Sequence, residues 1–386
     1  MNTVDLAIVG GGINGVGIAA LAASLGLSVC LFEQDELASH TSSKSSKLIH
    51  GGLRYLEQYK FALVRESLTE REILWQMAPQ IIHPLTFILP HALHLRPYWM
   101  IRTGLWIYDH LGKKTRLPSS QAIQFDTQTS KDILKPEFTR GFTYSDCWVD
   151  DAQLVKANAL YAQKKSAKIY IHTPVLKVEA KNACWTIHTP QQQFTARVLI
   201  NATGPWVSDF LQQQNLPTDQ KIRLVQGSHI IMPKLYEGEH AYTLQNPDGR
   251  IVFVLPYKNN YSVIGTTDTP YQGNPAQAKI TAEEINYLCS TVNRYFKTPI
   301  TPAQIYDSFS GVRPLLDDGT DNPSKVTREY LLELKQVQQA PLLSIFGGKI
   351  TTYRRLALAA LEKLHPYFAT QFPLSALKDW RVNLID

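Results

Sequence analysis

The first 33 residues narrow the choice of fold more than any other stretch. Residues 4–9, Val-Asp-Leu-Ala-Ile-Val, form a short β-prone run, and Gly10-Gly11-Gly12-Ile13-Asn14-Gly15 follows without a gap. Small residues then predict a helix over 13–25, and 28–32 predict a second strand that ends in Glu33. This is G-x-G-x-x-G between a strand and a helix with an acid about 20 residues on, the mark of a dinucleotide-binding βαβ unit. Gly10 is expected to make the tight turn, Gly12 to let a pyrophosphate reach the helix N-terminus, and Gly15 to let helix and strand pack closely. Ile13 and Asn14, at the helix start, join the same binding set, and Glu33 is expected to accept from the adenosine ribose hydroxyls. The motif alone does not choose between NAD and FAD.

Length and charge set further bounds. A chain of 386 residues suits two interleaved domains rather than one simple one. Hydrophobic content of 44% with 19% charged residues places it among folded globular chains. The balance of 39 basic against 33 acidic residues gives +6, which suits an anionic small substrate or an anionic membrane surface. The excess is too small and too scattered for nucleic acid. Cys30, Cys147, Cys184 and Cys289 lie far apart with no C-x-x-C pair, so neither a metal site nor a disulfide framework is expected. The first strand starts at residue 4, which leaves no room for a signal peptide, and no apolar run reaches about 18 residues. The location expected is cytoplasmic, free or on the inner face of the membrane.

Along the chain the organisation reads as discontinuous. Residues 58–78 carry apolar residues at helical spacing, and Pro79 is expected to close that helix. Asp150-Asp151 read as the cap of a helix over 153–165. Further strands are predicted at 168–172, 197–201, 305–313 and 342–346, and helices at 281–296 and 350–364. The simplest architecture is a dinucleotide domain built from 1–75, 145–222 and 303–365, with a mixed-sheet substrate domain from 76–144 and 223–302. Residues 366–386 are left as a short C-terminal extension.

Three more glycine points bear on the cofactor. Residues 44–56, Lys-Ser-Ser-Lys-Leu-Ile-His-Gly-Gly-Leu-Arg-Tyr-Leu, hold a Gly51-Gly52 pair through which backbone can pass a flat ring. Ser45, Ser46, Lys47 and His50 suit pyrophosphate and ring edges, and Arg54 adds a permanent cation. The strand ending Asn201-Ala202-Thr203-Gly204-Pro205-Trp206 returns to the carboxyl edge of the sheet, where such sheets bind ligands. Phe346-Gly347-Gly348-Lys349-Ile350-Thr351 opens a helix whose positive N-terminus would face the N1–C2=O edge of a reduced flavin. Several contact points around one nucleotide suit extended FAD better than NAD.

Taken in order, Gly10–Gly15, residues 41–56, Tyr108–Lys113, Tyr144–Asp151, Asn201–Trp206, Gly227-Ser228-His229, Gly265–Asp268, Ser310–Leu315 and Phe346–Tyr353 resemble one family. It is the FAD-dependent glycerol-3-phosphate dehydrogenases of the aerobic, quinone-linked type, and the likeness covers nearly the whole chain. The resemblance implies a glutathione-reductase-like FAD fold with an inserted mixed β-sheet substrate domain. It also implies oxidation of sn-glycerol 3-phosphate to dihydroxyacetone phosphate, with electrons passed to a quinone. The flavin contacts expected from motif and resemblance together also include Thr41, Ser42, Ser43, Leu53, Val175, Ala202, Thr203, Gly204, Trp206, Gly311, Gly348, Ile350 and Thr351. Family members continue into a C-terminal helical domain where this chain stops at Asp386. The motifs all precede that point, so the active site is expected to be intact.

The chemistry assigns roles to particular residues. Hydride leaves the substrate carbon for flavin N5 while the hydroxyl proton goes to a base. A phosphate calls for permanent cations, and Arg binds it with a planar fork. Arg54, Arg313 and Arg328 are the candidates, Arg328 on resemblance more than on local context. Lys349 is placed to hold a substrate oxygen and to stabilise reduced-flavin charge, and Tyr55 to bond the phosphate or the carbinol. His229 is the candidate base. FAD is expected to be non-covalent. Residues 94–116 mix Trp99, Trp106 and Tyr108 with Arg96, Arg102, Lys113, Lys114 and Arg116, which reads either as an interfacial segment or as a helix buried in the substrate domain. A homodimer is compatible with the sequence. Two other readings stay open: an oxygen-using glycerol-3-phosphate or amine oxidase of the same fold, and an inactive FAD-binding homologue.

Overall fold

Val4–Val9 is buried from Asp5 onward and lies parallel to Val29–Phe32, with Ile8 opposite Leu31. A strand covered on both faces has no reason to alternate, which accounts for the continuous apolar run. This computed structural model describes residues 3–112, 115–125, 133–317, 329–378 and 380–385. Its first sheet carries Ala340–Gly347, Gln193–Asn201, Val4–Val9, Val29–Phe32 and Lys168–Tyr170 in that order, all parallel. Tyr330–Val337, not expected from the sequence, adds an antiparallel outer strand. Ile13–Ser24, Asp151–Lys164 and Tyr353–Leu364 pack on one face. Gly17 permits the closest of these contacts, since a Cβ there would lie 2.6 Å from the Tyr353 ring. Trp185, Phe210, Phe346 and their neighbours fill the opposite face.

The second sheet runs Thr269–Pro270, Ile222–Pro233, Tyr261–Gly265, Ile251–Tyr257, Ala241–Gln245, Ile82–His91, Arg140–Val149 and Leu48–Ile49. Asp307–Leu316 also pairs with Ile222–Pro233 over ten positions, setting Arg313 opposite Val225 and Phe309 opposite His229. Helix Ala282–Tyr295 lays Leu288, Val292 and Tyr295 against Tyr242, Val254 and Ile264. Sheet membership departs from the expected segment boundaries. Arg140–Val149 and Asp307–Leu316 belong wholly to this second sheet, the first between Ile82–His91 and Leu48–Ile49 and the second along Ile222–Pro233.

Other elements shift by a few residues. The helix expected at 58–78 is Phe61–Met77, preceded by a tight 3₁₀ turn at Leu53–Gln58. Phe61 is 39% exposed and takes no part in the core its spacing suggested. Asp150 caps its helix through an oxygen that accepts from Gln153 N at 3.0 Å. That helix starts at Asp151, two residues earlier than expected. All four cysteines are free thiols.

The C-terminal segment is more than an extension. Phe368, Phe372, Leu377, Trp380 and Leu384 are buried in the nucleotide-domain core, and Leu384 N donates to Met77 O at 2.9 Å. Arg354 fastens it: Nη1 donates to Trp380 O at 2.7 Å, while Nε and Nη2 each reach a Glu70 carboxylate oxygen at 2.9 Å. Both side chains are almost fully buried. Removing one partner of such a pair leaves an uncompensated charge, so Arg354→Met should cost about 3–5 kcal/mol. Thermal unfolding should show a clear drop in Tm, and an unchanged Tm would contradict the anchoring role.

Candidate active site

A cavity of about 1400 Å³ runs from the carboxyl edge of the parallel sheet to the mixed sheet. Ligand pockets usually hold about 300–1,000 Å³, so the space suits a long dinucleotide with room for a small second molecule. At its nucleotide end the glycine turn is tightly built. Gly10 has φ +111°, and a Cβ there would lie 2.4 Å from Ala202 O. A Cβ on Gly15 would lie 2.0 Å from Gly10 O, which places Gly15 in the turn-to-helix packing and not on the cavity wall. Glu33 Oε2 accepts from Gly11 N at 2.7 Å and Oε1 from Asp35 N at 3.0 Å, fixing the carboxylate on the wall.

The fit to FAD is tested by what the wall offers. Gly12 supplies no side-chain cap to helix Ile13–Ser24, and Gly12, Ile13 and Asn14 line the cavity. Ser42 Oγ accepts from Ile13 N at 3.0 Å. Asn14 Nδ2 donates to Gly347 O at 3.3 Å, while its buried Oδ1 has no partner. A helix N-terminus open to the cavity beside close-approach glycines is what a dinucleotide pyrophosphate requires. The residues present fit FAD.

Residues 44–56 divide between wall and support. Gly51 is a packing glycine: a Cβ would lie 2.5 Å from Leu68 and 2.6 Å from the Tyr108 hydroxyl. Its N–H donates to that hydroxyl at 2.8 Å and to Asp146 Oδ1 at 3.3 Å. Burial pushes the Asp146 carboxyl upward, and Arg71, whose Nη1 is 2.7 Å away, opposes this. Lys47, expected at the pyrophosphate, is instead buried against Asp151 at 2.7 Å, and Asp151 Oδ2 also accepts from Ser45 Oγ. Gly52, with φ +77°, turns the chain so that Leu53, Arg54 and Tyr55 reach the wall. Lys349 Nζ lies 5.5 Å from the Tyr55 ring centre and donates to Ser67 Oγ at 2.5 Å.

Arg313 crosses the mixed-sheet end of the cavity. Its Nη1 pairs with Asp268 Oδ1 at 2.6 Å and its Nη2 donates to Thr266 Oγ1 at 2.9 Å. The guanidinium lies over Gly227, where a Cβ would come within 2.2 Å of it. His229 stacks on Phe309 at 4.6 Å and is 1% exposed. It does not line the cavity; its Nε2 is 2.9 Å from Ser46 Oγ, and Ser46 does. Burial, with Arg313 and Lys47 nearby, holds its pKa well below the ordinary histidine value.

The structure thus brings most of the expected residues to the lining of one cavity, and leaves Gly15, Ser43, Lys47, Gly51 and His229 out of that lining. Arg328, with Lys113 and Lys114, lies outside the described residues. Sequence reasoning missed Thr266 and Asp268 as partners of Arg313, and missed the Arg71–Asp146–Tyr108 support. The first lay in Gly265–Asp268, a motif quoted without a role. The second joins residues that nothing in sequence spacing links.

Comparison with known proteins agrees with this geometry. The family described as FAD dependent oxidoreductase matches residues 5–352. A glycerol-3-phosphate dehydrogenase of Pseudomonas aeruginosa is 54% identical, over 96% of this chain and 73% of its own length. A D-erythritol 1-phosphate dehydrogenase of Brucella abortus is 47% identical, over 95% and 74%. The solved glycerol-3-phosphate dehydrogenase of Bacillus halodurans, complexed with FAD, superposes with a TM-score of 0.74 at 23% identity, covering 97% of this chain and 67% of that one. A match that takes in both sheets, the glycine turns and the Lys349 loop means that this chain belongs to the FAD-dependent oxidoreductase family.

Proposed function

We propose that this chain oxidises glycerol 3-phosphate to dihydroxyacetone phosphate with a non-covalently held FAD. The observation that carries the reading is that Arg54, Arg313 and Lys349 all line the cavity that the Gly52 turn and the Gly347-Gly348 loop also line. Three cations there suit a phosphorylated substrate, whereas an amine oxidase has no use for them. Bound flavin supplies the two-electron hydride acceptor. Arg54 and Arg313 hold the phosphate, Lys349 and Tyr55 orient the carbinol, and the Gly51–Tyr108–Asp146 contacts keep that loop in place. His229 is the proposed proton acceptor, reached through the Ser46 hydroxyl that stands between it and the cavity.

For the electron acceptor we infer a quinone met at a membrane surface. Helix Tyr98–Leu111 turns Ile101, Leu105 and Tyr108 inward and leaves Trp99 67% and Trp106 61% exposed, so it is neither wholly buried nor wholly free. Trp99, Met100 and the 82% exposed Tyr59 stand at the cavity mouth, with Arg96 and Arg54 close by. Aromatic and basic residues together suit a peripheral contact with anionic lipid. Among the described residues no helix is long and apolar enough to cross a membrane. The Brucella relative favours a second substrate, a four-carbon polyol phosphate. The ratio of kcat/KM for the two substrates decides between them.

Glycerol 3-phosphate added without oxygen should bleach the yellow protein, and little peroxide should form in air. Persistent colour would sink the enzyme reading, and rapid peroxide formation would favour an oxidase. Acid precipitation should leave the chromophore in the supernatant. Arg54→Ala should lose a charge-assisted contact worth about 1.5–3 kcal/mol, lowering kcat/KM by one to two orders of magnitude with FAD retained. Equal oxidation of glycerol and glycerol 3-phosphate by the wild type would refute the phosphate assignment.

His229→Asn should retain FAD and slow anaerobic flavin reduction by about 10²–10⁴-fold. Because the folded His229 pKa is depressed, the ring stays neutral at pH 7, and the acid limb of the reduction rate should fall below about pH 6.5 and vanish in the variant. A near-normal rate in His229→Asn with collapse in Lys349→Met would move the base to Lys349.

A further inference from the structure

Behind the sheet face that carries Arg313 sits a carboxylate with no opening to the cavity. Glu284 is 5% exposed, and its oxygens accept five hydrogen bonds from neutral donors. Oε1 takes Thr267 Oγ1 at 2.6 Å, Ser228 Oγ at 3.0 Å and Thr269 Oγ1 at 3.2 Å. Oε2 takes Gln226 Nε2 at 2.7 Å and Thr281 N at 3.0 Å. The last of these, with Glu284 N donating to Thr281 Oγ1, is an ordinary capping box. A cap accounts for one of the five bonds and leaves four without a purpose in the helix.

Those four lead to the site. His229 pairs with Gly265, and Gln226 pairs with Thr269, so residues 266–268 bulge opposite only Gly227 and Ser228. A bulge re-aims side chains and locally disrupts the ladder, and here the backbone keeps one long bond, Thr267 N donating to Ser228 O at 3.4 Å. Thr267 supplies the substitute: its Oγ1 accepts from Ser228 N at 2.9 Å and donates to Glu284. With Thr267 tied inward, Thr266 and Asp268 face the cavity side and grip the Arg313 fork. We propose that Glu284 is a positioning residue which, through Thr267, fixes the 266–268 bulge and thereby aims Arg313 at the substrate phosphate. The assignment rests on the phosphate reading above.

The test uses the FAD-loaded protein. Inorganic phosphate binding is followed by titration calorimetry, and anaerobic flavin reduction is followed against glycerol 3-phosphate concentration. Glu284→Gln keeps the size but turns an amide toward the donors. It should weaken phosphate binding and raise half-saturation by about tenfold each, with the limiting reduction rate within about twofold and FAD content unchanged. Thr267→Val, which leaves Glu284 itself in place, should do the same. Thr281→Ala removes the hydroxyl that accepts from Glu284 N, weakening the helix cap while all five bonds to the Glu284 carboxylate keep their donors, and should leave both values at wild type. Unchanged phosphate binding in the first two variants would overturn the proposal, as would equal weakening in Thr281→Ala, which would reduce Glu284 to a helix cap. Failure of the underlying reading looks different: wild-type protein would bind no phosphate and would not prefer the phosphorylated substrate.

Discussion

Gly10 meets the Ala202 carbonyl at a distance that admits no side chain on the glycine, and much of the molecule is arranged around that meeting. The two strand ends lie side by side in the parallel sheet, with Val9 opposite Asn201. Their close contact puts the turn, the N-terminus of helix Ile13–Ser24 and the 202–206 segment on one surface. A methyl group at Gly10 would push against backbone rather than against a yielding side chain. The sheet therefore offers no easy relaxation, and the geometry of the dinucleotide site is inherited from the fold itself.

The substrate end is built differently, from loops held by buried charge. Asp151 binds Lys47 and Ser45, Asp146 binds Arg71 and Tyr108, and Asp268 binds Arg313. Burying such pairs is a poor source of stability against apolar packing. Their use here is directional, since each fixes a segment that carries a wall residue. Lys47 illustrates the logic: its charge faces inward to hold residues 45–47, and Ser45 and Ser46 are then presented to the cavity.

The βαβ unit was legible because its rules are local: turn, helix start and acid follow within one run of chain. The three glycine points and the cations at Arg54, Arg313 and Lys349 were legible for the same reason. What escaped the sequence was pairing at long range. Nothing in residues 140–149 announces that they lie between Ile82–His91 and Leu48–Ile49. Nor does spacing reveal that His229 turns into a stack with Phe309, because that depends on the register of two strands about eighty positions apart. In sequence Glu284 has no role beyond membership of a helix over 281–296, and its four bonds beyond the cap come from three further strands and loops.

The parallel order of the first sheet also shapes how the chain emerges from the ribosome. Gln193–Asn201 lies between Val4–Val9, long since made, and Ala340–Gly347, made near the end. Residues 193–196 are already paired with Cys184–His188, but until residue 340 appears residues 199–201 present an open, apolar edge of the kind that invites pairing with another chain. The later strands of the mixed sheet, from Ile222 to Leu316, are synthesised during this interval, and a nascent chain that pauses there would carry the glycine turn without the strand that completes its sheet. Slow synthesis or a stalled message between residues 202 and 339 would therefore be expected to yield aggregate rather than a soluble fragment.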